Sequence, residues 1–280
     1  MTYGMPYCGS KSRIAMDVIA ILPKARVLVD LFAGGCAITH VALMSERYDC
    51  IIANDVTDIA GFFGRAVRGE IPEPPRFVSR EEFFAKKDID PLIKMVWSFG
   101  YKGTCYCIAR EKEELLRSCA GAPCVTGDAP CHGCVLVKTR RLCQAHRVYS
   151  QTQRIMGLRE MKGSASKLVT MRADYTQVPI PCDSIVYADP PYEGTVQPYT
   201  GERFDSHAFW EWAAACPVPV YVSERDAPDG WVCLFGKALT IGMAANSNNQ
   251  KRIERLFIHE KWLSASAPYG NARDKNDPSG

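Results

Sequence analysis

The sequence predicts an α/β protein built on a doubly wound parallel sheet, into which a helical domain is inserted. Two short apolar strands, residues 26–30 and 50–55, each end in an acid, and a helical pattern follows each of them. The pair Gly34-Gly35 supplies a tight turn after the first strand. Strand, glycine turn, helix, strand and acid, in this order, are typical of the opening of a doubly wound sheet.

The individual elements follow from hydrophobic spacing. Apolar residues at helical spacing predict a helix over residues 12–22, which Pro23 ends. Further helices are expected over 37–45 and in the stretch that ends at residue 68. Four later strands are expected at 183–189, 219–223, 231–235 and 255–259.

The region between these two halves breaks the alternation of strand and helix. A proline-rich connector over 70–76 leads into a stretch that is helix-rich, cysteine-rich and finally basic. We therefore predict one discontinuous domain from residues 1–69 and 173–263, with residues 70–172 as the inserted domain. The polar, small-residue-rich stretch 264–280 is predicted to be a flexible tail.

The composition argues against a membrane protein and against a secreted protein. A chain of 280 residues with 47% hydrophobic residues can bury a large core, and no stretch is long and apolar enough to span a bilayer. The first thirty residues have no continuous apolar segment of the kind found in signal peptides. Thirteen cysteines without an export signal indicate reduced thiols or metal ligands. We expect a cytoplasmic protein that is a monomer in solution and does not bind membranes.

The distribution of charge is more informative than the net charge of +3. Nine basic residues and one acid lie between Lys138 and Arg172. Such an excess predicts a contact with a phosphate backbone, and the alternative is a solvated basic helix face. The residues expected to bind DNA are Lys138, Arg140, Arg141, Arg147 and Arg154.

Seven of the thirteen cysteines fall between residues 105 and 143. Four of them form a compact set among glycines and prolines: Cys119, Cys124, Cys131 and Cys134. Thiolates at these spacings suit a structural tetrahedral zinc ion. Cys143 and His146 could replace the first pair as ligands, and the alternative is a group of incidental thiols.

The tetrapeptide Asp189-Pro190-Pro191-Tyr192 closes the predicted strand 183–189. Proline fixes φ and removes backbone donors, so carbonyls at this corner can face a ligand. A carboxylate and a free carbonyl can together accept two hydrogen bonds from an exocyclic amine, and a tyrosine ring can stack on a base. These groups suit methylation of an amino group on a nucleobase. Read alone, the tetrapeptide could also be an ordinary turn.

The glycine turn predicts an adenosine cofactor that lacks a pyrophosphate. Asp55 lies 21 residues after Gly34, where an acid can bind ribose hydroxyls, but the G-x-G-x-x-G pattern of NAD sites is absent. Residues 4–12 miss a phosphate-binding loop by one residue, so an ATPase is disfavoured. The absence of a G-x-S-x-G elbow and of a histidine in a triad context argues against a hydrolase.

Four motifs in this order resemble the DNA adenine methylase (Dam-like) family, especially its phage- and prophage-borne members. They are Met5–Lys11, Asp30–Gly35, Asn54-Asp55 and Asp189–Tyr192, with weaker matches at residues 98–100 and 172–175. The resemblance implies a site-specific methyltransferase that transfers a methyl group from S-adenosylmethionine (SAM) to N6 of adenine in double-stranded DNA, with the target base flipped out of the helix. The family pattern usually has a further glycine where this chain has Cys36.

The resemblance also implies roles for individual residues. Cofactor contacts are expected from Tyr7, Lys11, Asp30, Phe32, Gly34, Gly35, Asp55, Asp174 and Asp189. Asp189 and the Pro190 carbonyl would accept the amine, and Tyr192 would stack on the base, so these three are the expected catalytic residues. The alternatives are an amine methyltransferase acting on cytosine N4, RNA or protein, and a catalytically silent DNA-binding protein. A restriction-modification, phage or regulatory setting would each fit.

Overall fold

Seven strands form one mixed sheet in a computed structural model of the chain. The structure describes residues 2–75, 77–98, 103–110, 113–114, 117, 144–191, 204–241 and 250–265. The strands are β1 (Val27–Asp30), β2 (Cys50–Asn54), β3 (Leu168–Met171), β4 (Ser184–Ala188), β5 (Val220–Glu224), β6 (Trp231–Ile241) and β7 (Gln250–His259). Their order across the sheet is β3-β2-β1-β4-β5-β7-β6.

The described helices flank this sheet. They are α1 (Ala15–Ile21), α2 (Ala37–Ser45), α3 (Ile59–Arg68), α4 (Arg80–Lys86), α5 (Pro91–Val96), α6 (Gln144–Met156) and α7 (Ser206–Ala215). Segments of 3-10 helix cover Lys11–Arg13, Gly157–Lys167, Tyr175–Gln177 and Glu260–Ala265. Side-chain caps explain several starts: Ser79, Asp90 and Asp205 each accept a hydrogen bond from a backbone N–H in the first turn of α4, α5 and α7. No helix of the described residues is long and apolar enough to cross a membrane.

The sheet reverses its direction of winding between β1 and β4. The pairs β2–β1, β1–β4 and β4–β5 are parallel, and β7 runs antiparallel to both β5 and β6. In open α/β sheets, ligands bind outside the carboxyl ends of the strands at such a switch point. The structure therefore confirms the predicted doubly wound α/β class, and it places the ends of β1 and β4 side by side.

The central strands are buried on both faces, which explains why they are continuous apolar runs in the sequence. On one face, Leu28 and Tyr187 pack in the cluster that includes α1, α2 and α3. On the other face, Val29 and Val186 pack against Phe209 of α7. All five side chains are at most 1% exposed, so the two layers hold the strand ends rigidly.

Sequence patterns located the buried elements better than the edges of the sheet. The bounds of α2 are as predicted, whereas β3 lies inside the stretch 70–172 that was assigned to the insert. Residues 168–171 pair in parallel with β2 and belong to the sheet instead. Only Leu168 of this edge strand is buried, so it lacks the apolar run that marks a central strand. The division into domains otherwise stays a prediction.

Candidate active site

The turn after β1 is fixed by a hydrogen bond to Asp55 and by packing against the ring of Tyr7. The N–H of Gly34 donates to Asp55 Oδ2 at 3.0 Å, which ties the turn to the end of β2. Gly34 has φ +47°, and a Cβ there would lie 2.9 Å from Cε1 of Tyr7. Both the left-handed backbone and the packed ring require glycine at this position. Cys36 begins α2 from the same left-handed region, at φ 56°.

An amino-terminal segment, residues 3–12, lies across this turn. Met5 N donates to Gly35 O at 2.7 Å, and Gly4 N donates to His40 Nδ1 of α2 at 3.0 Å. Tyr3 N donates to Ser12 Oγ at 2.7 Å, so the segment also closes on itself. The Tyr7 ring packs on the turn, and the expected contacts of Tyr7 and Lys11 with a cofactor stay predictions.

Two of the predicted cofactor acids are held by neutral donors. Asp30 is buried, and its Oδ2 accepts hydrogen bonds from Thr39 N at 3.1 Å and from Thr39 Oγ1 at 2.6 Å. Asp55 Oδ1 accepts from Thr57 N and Thr57 Oγ1, at 2.9 and 2.7 Å. The sequence analysis missed both threonines: Thr39 lies in the first turn of α2, nine residues after Asp30, and Thr57 lies two residues after Asp55. They fix the carboxylates at the strand ends.

Burial raises the pKa values of these two carboxyl groups. The pKa of Asp30 is raised to about 7, mainly by desolvation and to a smaller extent by the charges of Asp189 and Asp55. The hydrogen bonds from Thr39 act in the opposite direction. The pKa of Asp55 is also raised by burial. Three carboxyl groups therefore influence one another at this edge of the sheet, which suits a cationic ligand.

Asp189 follows β4 directly and has a cationic partner. Lys11 Nζ lies 2.8 Å from Asp189 Oδ1 and 3.4 Å from Glu254 Oε2, and the Lys11 side chain is 7% exposed. Glu254 comes from β7, and the sequence analysis did not identify it because no motif surrounds it. The charge of Asp189 also raises the pKa of Glu224, although burial is the larger cause. The buried lysine compensates two carboxylates and fixes the position of Asp189.

Asp174 lies further along the same edge, beyond β3. Its carboxylate caps the 3-10 helix Tyr175–Gln177 by accepting from Thr176 N at 3.0 Å. The Asn54 side chain joins this loop to the sheet: its amide donates to Leu31 O and Ala173 O, at 3.0 and 3.1 Å. Asn54 belonged to a quoted motif without a predicted role, and the structure shows that it positions the loop.

Aromatic rings line this part of the edge. The ring of Phe32, at the turn, lies 5.6 Å from that of Tyr175 and 5.7 Å from that of Phe204. Phe209 of α7 packs beneath them and is fully buried. The structure thus brings the predicted residues Phe32 and Asp174 to neighbouring positions, with Tyr175 and Phe204 as further wall residues that the sequence analysis missed.

Of the predicted DNA-binding residues, the structure describes two, and both lie on α6. Arg147 is partly buried and close to Cys107, whose pKa is raised to about 11 by burial and lowered somewhat by that arginine. Arg154 donates from Nε to Gly4 O at 2.7 Å and from Nη2 to Tyr3 O. Its described contacts are therefore with the amino-terminal segment, and a contact of either arginine with DNA stays a prediction.

Several predicted residues lie outside the described part of the chain. They are Tyr192, Lys138, Arg140, Arg141, Cys119, Cys124, Cys131, Cys134 and Cys143. Within the described ranges, no group of three or more histidine, cysteine or acidic side chains could hold a metal ion.

Comparison with known families agrees with this geometry. Residues 7–78 match the model of the D12 class N6 adenine-specific DNA methyltransferases. The amino-terminal quarter of the chain is therefore similar to the adenine-specific DNA methyltransferases. The matched residues include Tyr7, Lys11, the glycine turn and Asp55, so the predicted Dam-like resemblance is confirmed at the level of the family. The family implies SAM as the methyl donor and DNA as the substrate, whereas a phage origin stays a prediction.

Comparisons with solved structures and with curated sequences give weaker information about this chain. The methyltransferase is similar to the structure of the rRNA methyltransferase aviRa from Streptomyces viridochromogenes, at 16% identity and a TM-score of 0.40. That match covers 90% of this chain and 86% of the other. No curated protein sequence matches the chain significantly.

Proposed function

We propose that this methyltransferase transfers the methyl group of SAM to N6 of a specific adenine in double-stranded DNA, after the base has been flipped out of the helix. One observation carries the proposal: the glycine turn after β1 and the acid after β4 lie at adjacent strand ends, and Lys11 from the amino-terminal segment reaches that acid at 2.8 Å. The proposed cofactor site and the amine-accepting group therefore lie side by side at the switch point, where open α/β sheets bind ligands.

The residues present suit SAM. The cofactor carries a cationic sulfonium, and the carboxyl groups of Asp30, Asp55 and Asp189 act on one another electrostatically at this edge. We assign the turn at Gly34 and Gly35 to the methionine part of SAM. Asp55 is assigned to the ribose and Asp174 to the neighbourhood of the adenine, while Tyr7, Lys11 and Phe32 line the cofactor site.

Asp189 and Pro190 are assigned to the reacting amine. The lone pair of adenine N6 is delocalised into the ring, so the amine is a weak nucleophile. Hydrogen bonds from N6–H to the Asp189 carboxylate and the Pro190 carbonyl localise that lone pair and stabilise the positive charge that develops on nitrogen. The N6–C bond forms as the S–C bond breaks, the electron pair of that bond goes to sulfur, and N6 then loses a proton to solvent. Rate enhancement depends mainly on holding amine and methyl group in line.

The base must leave the duplex to reach this pocket. We assign Tyr192 to stacking on the flipped base. The basic residues Lys138, Arg140, Arg141 and Arg147 are assigned to the phosphate backbone. Of these, Arg147 lies on α6.

A structural zinc ion bound by Cys119, Cys124, Cys131 and Cys134 is a separate proposal, which rests on the spacing of the thiols alone. Metal analysis of protein purified without chelators tests it directly: one zinc per chain, lost when Cys131 and Cys134 are changed to serine, is expected. Metal-free, folded and active protein would contradict it.

The first experiment is methyl transfer from labelled SAM to unmethylated plasmid DNA, followed by mass spectrometry of the nucleosides. We expect N6-methyladenine. N4-methylcytosine would change the assigned base, and transfer to RNA or protein but not to DNA would replace the substrate. DNA binding without any binding of SAM would favour a catalytically silent DNA-binding protein.

A further inference from the structure

The amino-terminal segment is held by the inserted region as well as by the sheet. Arg154, near the end of α6, donates from Nε to Gly4 O at 2.7 Å and from Nη2 to Tyr3 O. These contacts join residues 150 and 151 positions apart in the chain. A planar guanidinium can bind two successive carbonyls at once, whereas an ammonium presents a single point of charge.

The two carbonyls belong to Tyr3 and Gly4, which directly precede Met5 in the amino-terminal segment. A Cβ on Gly4 would lie 2.7 Å from Ala37 N, so the backbone there is in direct contact with the start of α2. The next residue, Met5, donates to Gly35 O at 2.7 Å. A displacement of residues 3 and 4 would therefore also move Met5, which is hydrogen-bonded to the glycine turn. Tyr7 packs on the same turn.

His40 of α2 also binds the amino-terminal segment at Gly4. Its Nδ1 accepts the N–H of Gly4 at 3.0 Å, which requires a neutral imidazole. The pKa of His40 is lowered to about 4, mainly by burial and to a smaller extent by the nearby charge of Arg154. Arg154 thus holds the segment through its carbonyls, and it also favours the neutral histidine that holds the segment through an N–H.

We propose that Arg154 is a positioning residue that fixes the amino-terminal segment over the glycine turn, so that SAM affinity depends on the placement of α6 in the inserted region. The inference rests on the proposed function, since it takes the turn as the SAM site. Because binding free energies are reciprocal, DNA that shifts α6 would change the affinity for SAM, and SAM would change the affinity for DNA by the same factor.

The test measures SAM binding by calorimetry, without DNA, for the wild-type protein, Arg154→Ala and Arg154→Lys. Arg159→Ala is the matched control, because it removes the same charge from an exposed side chain a short distance along the chain. We expect Arg154→Ala to raise the Kd for SAM at least about fivefold and Arg154→Lys to give an intermediate value, with Arg159→Ala within about twofold of wild type.

Two further readouts separate positioning from a general loss of structure. Hydrogen exchange at residues 3–12 should be faster in Arg154→Lys than in wild type, with exchange in β1 and β4 unchanged. Plasmid DNA affinity should fall equally in Arg154→Ala and Arg159→Ala, because each loses one positive charge. If Arg154→Ala does not fold, Arg154→Lys decides the outcome by the same measurements.

An unchanged Kd for SAM in Arg154→Ala, together with a loss of DNA affinity much larger than in the control, would overturn the inference and assign Arg154 to a phosphate. Failure of the wild-type protein to bind SAM is a different result, since it would overturn the proposed function itself.

Discussion

The two halves of the switch point hold their carboxylates in opposite ways. At the ends of β1 and β2, which we term the cofactor edge, Asp30 and Asp55 accept hydrogen bonds from backbone N–H groups and threonine hydroxyls. At the end of β4, the acceptor edge, Asp189 is paired with the buried ammonium of Lys11. Neutral donors fix the shape of a site, whereas an ion pair also keeps a carboxylate ionised.

This difference predicts separate roles for the two edges, SAM binding at the cofactor edge and methyl transfer at the acceptor edge. The acids of the cofactor edge are held by neutral donors, and burial raises the pKa values of Asp30 and Asp55. At the acceptor edge, the carboxylate of Asp189 is held by a cation, Lys11, at 2.8 Å. Changes at the acceptor edge should therefore affect turnover, and changes at the cofactor edge should affect SAM affinity and stability.

The largest effect is expected from Asp189→Ala. Loss of the group that accepts the amine should lower kcat by at least about 10²-fold, while affinity for plasmid DNA stays close to wild type. Asp183→Ala is the control, because Asp183 lies at the other end of the same strand in an exposed pair with Arg26, at 2.5 Å. Such exposed pairs contribute only about 0–1 kcal/mol. A parallel loss of DNA binding and turnover would contradict the assigned role.

At the cofactor edge, Gly34→Ala should weaken SAM binding by about tenfold or more. The left-handed backbone costs alanine about 1–2 kcal/mol, and the new Cβ would also displace the Tyr7 ring. Gly69→Ala has the same backbone cost at φ +75°, but its Cβ would meet only Arg159 Cβ, at 3.7 Å. Titration of both variants with SAM should show a loss for Gly34→Ala alone. Equal affinities would show that the Tyr7 contact does not shape the site.

A smaller effect concerns pH. The pKa of Asp30 is about 7 in the folded protein, against 3.8 ordinarily, so between these values the folded state binds a proton that the unfolded chain has released. The stability that this group contributes is complete below about pH 4 and is lost as the pH rises through 7. Asp30→Asn should reduce the fall in unfolding free energy between pH 5 and 7 by about 1–2 kcal/mol. Urea unfolding of the wild-type protein and Asp30→Asn at pH 5 and pH 7 tests this. The same change in unfolding free energy between the two pH values in both proteins would refute it.

The smallest effect is expected where the chain departs from the family pattern. Cys36→Gly and Cys36→Ala both lose the buried sulfur, and they differ only in a Cβ at φ 56°. The glycine variant should therefore be more stable than the alanine variant, by about 0.5–1 kcal/mol in thermal unfolding. The reverse order would show that the left-handed conformation at the start of α2 is not strained.

Local sequence determined the central strands of the sheet and the positions of the cofactor edge and the acceptor edge. The apolar run before Asp189 defines β4, and the glycine pair after Asp30 ends β1, since both signals depend on residues a few positions apart. The acids at these strand ends could be recognised because parallel strands bring their carboxyl ends to one side of a sheet. The same reasoning failed for β3, whose edge position leaves only Leu168 buried.

Tertiary structure alone decided the partners of these residues. Glu254 meets Lys11 because β7 inserts beside β5, and no local pattern encodes that neighbour. Arg154 looked like one of a row of phosphate-binding residues, yet its described hydrogen bonds run to Tyr3 and Gly4. Charge and spacing specify what a side chain can bind, but the long-range packing of strands and helices specifies which partner lies within reach.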